Sequence, residues 1–373
     1  MFSVVRLEGG LEGPLAGWAT DRFGPRRMLI ISATLTGVGF LILATVNSFL
    51  ALLLVYTGLI SLGYNIGFFQ AMVVAANNWF IRRRTLAISI LAASYRLCGA
   101  ALTPLLALVV VSAGWRVGAL VSGGLILAIA IPAGLFVRST PESMGLLPDG
   151  DKPETIDAIE RSTARSTALP ARLRDYTVGE ALRTPAYWVI ALAHGLRTAA
   201  FAGLVVHIVP IFVWKGLSQQ AAANLWGLVA LIGLPLTLFI GWGADRWNKP
   251  AIMVTGMLCS AVGMTLLAQT NDARLFYVFV VLFAVGESIG PVNWSILGEN
   301  FGRKRFATLR GYLTAMSVLG AAMPVLIGRL YDVGETYGPA LVILSVLYAT
   351  AAALYATLWV IGRRQALNVP ELA

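Results

Sequence analysis

Long apolar stretches, separated by short polar segments, recur along the whole chain. Each is about 20 residues long, enough for a helix to cross roughly 30 Å of hydrocarbon. A helix satisfies its own backbone hydrogen bonds in lipid, and no alternating ten-residue strand pattern competes with this interpretation. The predicted spans are residues 2–19, 29–46, 50–76, 85–112, 117–137, 186–212, 225–243, 251–268, 274–297, 309–331 and 338–361. We therefore predict an all-α integral membrane protein with 11 helices present.

The chain repeats itself at long range. Gly17-Trp-Ala-Thr-Asp21-Arg22 recurs as Gly241-Trp-Gly-Ala-Asp245-Arg246. Two further matches follow in the same order and at nearly the same offset, Phe80–Arg84 with Phe301–Arg305 and Gly99–Pro104 with Gly320–Pro324. Such matches indicate two copies of one helical unit. In an apolar chain this predicts two pseudo-symmetric helical bundles on a 6+6 plan, the architecture of secondary transporters.

The repeat also predicts the domain organisation. The counterpart of the span at 186–212 would precede residue 1, so the first helix of the plan is expected to be missing, through truncation or in a true eleven-helix protein. Residues 1–137 then form an N-terminal transmembrane bundle, helices 2–6 of the plan. Residues 138–185 are a polar cytoplasmic linker. Residues 186–373 form a C-terminal bundle, helices 7–12, with a short cytoplasmic tail.

Composition and charge agree with a membrane protein. Apolar residues make up 58% of the chain and charged residues only 12%, too few to cover a soluble surface. Most of the 28 basic residues behind the net charge of +10 fall in alternate loops. This is the positive-inside pattern, which predicts a multi-pass protein of the inner (plasma) membrane with a cytoplasmic C-terminus. The basicity thus reports topology, and we expect a lipid bilayer but neither a nucleic acid nor an obligatory protein partner.

Two arginines lie near the centres of predicted spans, where a charge is costly and therefore a functional candidate. Arg96 and Arg197 belong to different halves, and both can bind a carboxylate through paired hydrogen bonds. An anion held between the halves is one interpretation, and an internal salt bridge with Glu8, Glu12 or Glu287 is the other.

Other polar residues in the spans extend this candidate site. Glu287 is either a proton carrier or the group that neutralises Arg197 without substrate, and His194 and Glu12 are further candidates for proton coupling or ion pairing. Tyr64, Asn65 and Asn293 either contact the substrate or join helices by hydrogen bonds.

Several functional classes lack a signal. No phosphate-binding loop of the ATPase type and no nucleophile–base constellation occurs, so we expect neither an enzyme nor a cofactor. Cys98 and Cys259 fall in predicted spans without a disulfide or metal signature, and we expect both to pack among apolar neighbours. The histidines form no metal-site pattern.

The stretch from Gly17 to Arg27 resembles the signature loop between helices 2 and 3 of the major facilitator superfamily, and Gly241–Lys249 resembles its echo. Glu12-Gly-Pro14, Asn78-Trp79-Phe80 and Thr140–Asp149 are similar to the oxalate–formate antiporter and monocarboxylate transporter branch. The resemblance implies a gating latch that forms in one access state and breaks in the other, built from the residues Asp21, Arg22, Asp245 and Arg246. The alternative is that these charges only anchor the loops and set the topology. Gly17 and Gly24 would permit tight turning and close helix approach.

The resemblance implies secondary active transport of a small organic anion, a carboxylate, by proton symport or anion exchange. The basic residues on helices 8 and 11 that resemble a dicarboxylate clamp in oxalate-transporting members have no counterpart in the span at 225–243, nor between Arg310 and Arg329, which lie near the ends of the span at 309–331. Oxalate itself is therefore disfavoured. Efflux of amphipathic compounds is an alternative, and a non-transporting sensor or inactive truncated paralogue is another.

Overall fold

The computed structural model describes the backbone of residues 2–151 and 175–367, and residues 152–174 of the predicted linker and the end of the predicted tail lie outside this description. Its main elements are helices α1 (Phe2–Phe23), α2 (Pro25–Leu43), α3 (Phe49–Trp79), α4 (Arg84–Ala113), α5 (Trp115–Phe136), α6 (Val178–Leu182), α7 (Pro185–Trp214), α8 (Gln219–Ala244), α9 (Lys249–Gln269), α10 (Ala273–Phe301), α11 (Phe306–Gly334) and α12 (Gly338–Leu367). The described residues contain no strand, which confirms the all-α prediction.

Each predicted span falls on one of these helices. Within the described residues, 10 helices are long and apolar enough to cross a membrane, beginning with α2. Helix α1 has 22 residues but is not among those ten. Its Glu8 and Glu12 lower its apolar character. Cys98 is exposed and Cys259 is half-buried, so the prediction of buried packing is wrong for Cys98.

Several long helices are locally irregular. Helix α3 is π-helical over Tyr56–Ser61, and α11 tightens to a 3-10 turn over Met316–Val318. Helix α10 is interrupted at Ile289, so it consists of the arms Ala273–Ser288 and Gly290–Phe301. Pro291 explains this break, because it has no N–H to donate to the carbonyl of residue 287.

The chain forms two compact units. We call the first the N-unit; it comprises Glu8–Ala181 together with Leu297–Ala315, the end of α10 and the start of α11. The second, the C-unit, comprises Leu182–Ile296 and the chain from Met316 onward, with the first residues of α1. The domain boundaries predicted from the sequence stay a prediction.

Glycine allows the closest helix approach in the N-unit, where α1 packs against the start of α11. A Cβ on Gly17 would lie 2.2 Å from the carbonyl oxygen of Ala307, and one on Gly13 would lie 2.6 Å from that of Gly311. These distances are far shorter than a carbon–oxygen contact allows. Glycine at these positions is therefore what lets the two backbones touch.

The C-unit has an aromatic core. Phe212, Phe276 and Phe279 pack together with ring centroids 5.6 to 5.8 Å from Phe212, and all three are buried. Phe283 stacks on Phe279 and meets Tyr348 edge-to-face at 6.3 Å. These contacts join α7, α10 and α12 around the polar cluster described next.

Candidate functional site

An ion pair lies inside the spanning helices of the C-unit. The Arg197 guanidinium on α7 donates to Glu287 on α10 with Nη2 and Oε2 3.0 Å apart, and their side chains are only 13% and 11% exposed. The Tyr348 hydroxyl on α12 donates to the other carboxylate oxygen at 3.4 Å. Three helices therefore meet at the Glu287 carboxylate.

A second group of polar side chains joins the same three helices. Asn293 on α10 donates from Nδ2 to Nδ1 of His194 on α7 at 3.2 Å, and its Oδ1 accepts from the Tyr355 hydroxyl on α12. All three side chains are buried. The Trp294 ring lies 4.9 Å from that of His194. We call these two groups together the Arg197 cluster: Arg197, Glu287, Tyr348, His194, Asn293 and Tyr355.

Helical spacing explains why the sequence brings these residues together. His194 and Arg197 are three apart and Tyr348 and Tyr355 seven apart, so each pair shares one helix face. On α10, Glu287 precedes the interruption at Ile289 and Asn293 follows it. A Cβ on Gly290 would lie 3.8 Å from the Arg197 guanidinium, so glycine leaves space beside the cation.

Chemically, the ion pair presents a fixed cation and a competing carboxylate. Arginine keeps its charge at all relevant pH values and offers two parallel donors to a carboxylate. A ligand carboxylate can therefore take the place of Glu287 on Arg197. Of the two interpretations of Arg197, the structure shows the internal pair, with Glu287 as its acidic partner.

The remaining predicted binding residues lie in the N-unit. Asn65 on α3 donates to Glu12 Oε2 on α1 at 3.3 Å, and the Tyr64 hydroxyl lies 3.0 Å from that of Tyr95 on α4. Arg96 follows Tyr95 on α4 and is half-buried. The hydrogen bond between Asn65 and Glu12 joins α3 to α1, which agrees with a helix-joining role for Asn65. The substrate role of Tyr64, Asn65 and Arg96 stays a prediction.

Arg310 is a buried cation that sequence analysis missed. The predicted span at 309–331 places Arg310 at its very end, whereas in the structure it lies within α11 and is 5% exposed. Its guanidinium donates to the Gln70 side chain and lies 5.7 Å from the centre of the Phe69 ring. The helix begins at Phe306, three residues before the predicted span, so Arg310 lies one full turn inside it.

The predicted latch residue Asp21 caps the start of α11 within the N-unit. Its carboxylate accepts from the backbone N–H of Ala307 at 3.1 Å and of Thr308 at 2.8 Å, and from the Thr308 hydroxyl at 2.5 Å. N–H groups in the first turn of a helix have no intrahelical partner and carry the positive end of its dipole. Asp21 supplies both the acceptor and the compensating charge.

The other predicted latch residues make local contacts. Arg22 lies over the Trp18 ring at 5.3 Å, and at the equivalent positions Arg246 lies over Trp242 at 4.1 Å. Asp245 is 4.0 Å from Lys249, one turn away. The repeat therefore preserves the arginine–tryptophan contact in both copies.

Two linker carboxylates cap the two basic turns of the repeat. Asp149 accepts from the N–H groups of Ile81 and Arg82 at 3.0 and 2.9 Å. Asp175 accepts from those of Arg303 and Lys304 at 2.7 and 3.1 Å. Both ends of the linker are thus fastened to turns at matching places in the repeat.

A cavity of about 330 Å³ lies beside these turns in the N-unit. Asp21, Glu142, Asp175, Arg303 and Lys304 supply its charged lining. Two of these lining residues, Arg303 and Glu142, form an ion pair at 3.0 Å. Among the described residues, no group of three or more His, Cys, Asp or Glu side chains is placed to hold a metal ion.

Comparison with known sequences places the chain among transporters. Residues 9–325 match the Major Facilitator Superfamily. The oxalate:formate antiporter of Oxalobacter formigenes is 31% identical over 341 residues, covering 86% of this chain and 73% of that protein. Monocarboxylate transporter 4 of Mus musculus is 24% identical over 373 residues, covering 96% of this chain and 74% of that protein.

Solved structures with the same fold include the proton:xylose symporter XylE, with a TM-score of 0.73 at 16% identity, covering 95% of this chain and 84% of that one. The human organic anion transporter MFSD10 gives 0.72 at 16% identity, covering 95% and 82%. The sequence match spans well over half of the chain, and the fold agrees with it. The chain belongs to the Major Facilitator Superfamily of membrane transporters.

Proposed function

We propose that this protein moves a small organic anion, a carboxylate, across the inner (plasma) membrane by alternating access, with its C-terminus in the cytoplasm. The observation that carries the proposal is the buried ion pair of Arg197 and Glu287 inside the spanning helices. The names of the relatives support the substrate class, since they include an oxalate:formate antiporter and monocarboxylate transporters.

In the proposed cycle the substrate carboxylate replaces Glu287 on Arg197. Glu287 keeps the Tyr348 hydroxyl as a donor but loses its cation. An unpaired buried carboxylate is costly, so Glu287 either takes up a proton that crosses with the anion, or stays ionised until that anion leaves and then pairs with Arg197 again. The first outcome is proton symport and the second is anion exchange.

The Asp21 contact supports the gating part of the proposal. It holds the start of α11 against α1 through three hydrogen bonds to one carboxylate. We propose that these bonds break when the protein opens at the end where α1 meets the start of α11, and form again when that end closes. Arg22, Asp245 and Arg246 would support the same movement by anchoring the two equivalent loops.

Thermal unfolding in detergent tests the substrate class. A ligand that binds the folded state raises the midpoint by mass action, so mono- and dicarboxylates, sugars and lipophilic cations can be compared directly. We expect a shift with carboxylates that Arg197→Gln abolishes. Arg274→Gln is the matched control, because Arg274 is exposed at the start of α10.

Uptake into proteoliposomes then separates the two coupling modes. Symport predicts uptake driven by an inward proton gradient, whereas exchange predicts uptake driven by internal anion without a gradient. A thermal shift with lipophilic cations alone would contradict the proposal and favour efflux of amphipathic compounds. Carboxylate binding that survives in Arg197→Gln would contradict the assigned site.

A further inference from the structure

The interrupted helix α10 is tied on both sides of its break to the same two helices. Before Ile289, Glu287 contacts Arg197 of α7 and Tyr348 of α12. After it, Asn293 contacts His194 of α7 and Tyr355 of α12. Each arm of α10 therefore has its own pair of side-chain contacts.

The Asn293 amide is committed to protein partners. Its carbonyl oxygen accepts from Tyr355 and its NH₂ group donates to His194 Nδ1, which requires the neutral imidazole with its hydrogen on Nε2. Asn293 is 2% exposed and Tyr355 0%. Each bond uses one of the two N–H donors or one of the two lone pairs of the amide, and its burial means that a substrate could reach it only if neighbouring side chains moved.

The break makes such contacts more important. Pro291 has no N–H, so the backbone ladder that would couple the two arms is incomplete next to Glu287. The arm that follows the break is then oriented by its side-chain contacts to α7 and α12. Those contacts in turn influence how the end of the preceding arm, which carries Glu287, is oriented.

We propose that Asn293, held by His194 and Tyr355, is a positioning residue that keeps Glu287 facing Arg197 and does not itself bind the substrate. This role deepens the proposed function, on which it rests. Substrate binding needs only Arg197, whereas the return of Glu287 to Arg197 after each release needs the correct orientation of α10. Loss of the Asn293 contacts should therefore slow turnover more than it weakens binding.

The test compares binding and turnover in Asn293→Ala and Tyr355→Phe. Each lost hydrogen bond is worth about 0.5–1.5 kcal/mol, a factor of roughly 2 to 12. We expect kcat for carboxylate uptake to fall by about that factor in Tyr355→Phe and further in Asn293→Ala, with Kd unchanged or lowered, because a poorly oriented Glu287 competes less well with the substrate for Arg197. Tyr277→Phe is the matched control, because Tyr277 lies on α10 but is 58% exposed.

Three outcomes would overturn the positioning role. A weakened Kd with unchanged kcat would make Asn293 a substrate contact, and wild-type values of both would leave it without a role. Unaltered amide exchange around Ile289 in Tyr355→Phe would show that these bonds do not hold the arm. This last measurement needs no substrate and keeps its meaning if Asn293→Ala does not fold.

The proposed function fails by a different result. If Arg197→Gln binds carboxylates as the wild type does, or if no carboxylate binds the wild type, the anion site is wrong. Amide exchange around Ile289 then still decides whether the Asn293 contacts hold the helix. Faster exchange there, by roughly 2- to 12-fold, would support that part alone.

Discussion

Replacing Asp21 by asparagine removes the negative charge at the start of α11 and leaves the shape of the side chain nearly unchanged. In the wild type this carboxylate accepts from two first-turn N–H groups, those of Ala307 and Thr308. Asparagine keeps one oxygen that can accept but presents an NH₂ group to the remaining donor. At least one charged hydrogen bond is therefore lost.

The size of the effect follows from the type of bond. A hydrogen bond to a charged group contributes about 1.5–3 kcal/mol, more than the 0.5–1.5 kcal/mol of a neutral one. Because both N–H groups bind one carboxylate, their contributions are not additive, and we count a single bond. A loss of 1.5–3 kcal/mol corresponds to roughly a 10- to 150-fold increase in the population of the opened helix start.

Hydrogen exchange measures this opening directly, because the donors are themselves exchanging amides. In peptides that cover the start of α11, we expect the amides of Ala307 and Thr308 to exchange about 10- to 150-fold faster in Asp21→Asn. Asp245→Asn is the control, since Asp245 occupies the equivalent place in the repeat and lies 4.0 Å from Lys249.

Unchanged protection in Asp21→Asn, and also in Asp21→Ala, would refute the reasoning. It would mean that packing alone shields these amides and that the carboxylate contributes little. Equal acceleration by Asp245→Asn would refute it differently, because a general loosening of the protein would then explain the result.

Two further substitutions test the packing and the linker. Gly17→Ala should lower the thermal unfolding midpoint, because its Cβ would lie 2.2 Å from the Ala307 carbonyl oxygen and overpacking costs about 1–3 kcal/mol. Gly227→Ala is the control and should leave the midpoint unchanged, because a Cβ there would have no neighbouring group within 4 Å. Asp149→Ala should speed amide exchange at residues 81 and 82 at a cost of about 0.5–2 kcal/mol. Asp151→Ala should leave those amides unchanged, because Asp151 pairs with the Arg82 side chain; equal effects would contradict the capping role of Asp149.

The spans could be predicted because hydrophobic length alone determines them. Each helix in lipid must be long and apolar enough by itself, so no tertiary information is needed to locate it. The interruption at Ile289 could have been predicted from the sequence, since Gly290 and Pro291 both weaken a helix. The π-helical segment Tyr56–Ser61 has no comparable signal, because it depends on how α3 packs.

The candidate site was only partly predictable. Arg197 and Glu287 stand out as charges within spans, and each is costly unless paired. Their pairing depends on the rotation of α7 and α10 about their axes, which the sequence does not specify. The Tyr348 and Tyr355 hydroxyls were missed because tyrosine in an apolar helix resembles ordinary packing. Their spacing of seven residues was the available signal.

The repeat predicts positions better than it predicts partners. The loop after α2 is held by Arg116, which donates to Asn47 at 2.7 Å, and the equivalent loop after α9 is held by Lys215, which donates to Asn271 at 3.0 Å. Arg116 lies in the first turn of α5, whereas Lys215 follows α7, so the two cations come from non-equivalent helices.

A helix C-terminus attracts a cation through its dipole and its unpaired carbonyls, and any neighbouring helix can supply one. Burial lowers the pKa of the Lys215 amine, and the amine donates to the Thr270 carbonyl at 2.8 Å. The two copies therefore retain the same physical requirement while the residue that meets it has moved. For the same reason, the match between Asp21 and Asp245 does not imply that both carboxylates cap a helix.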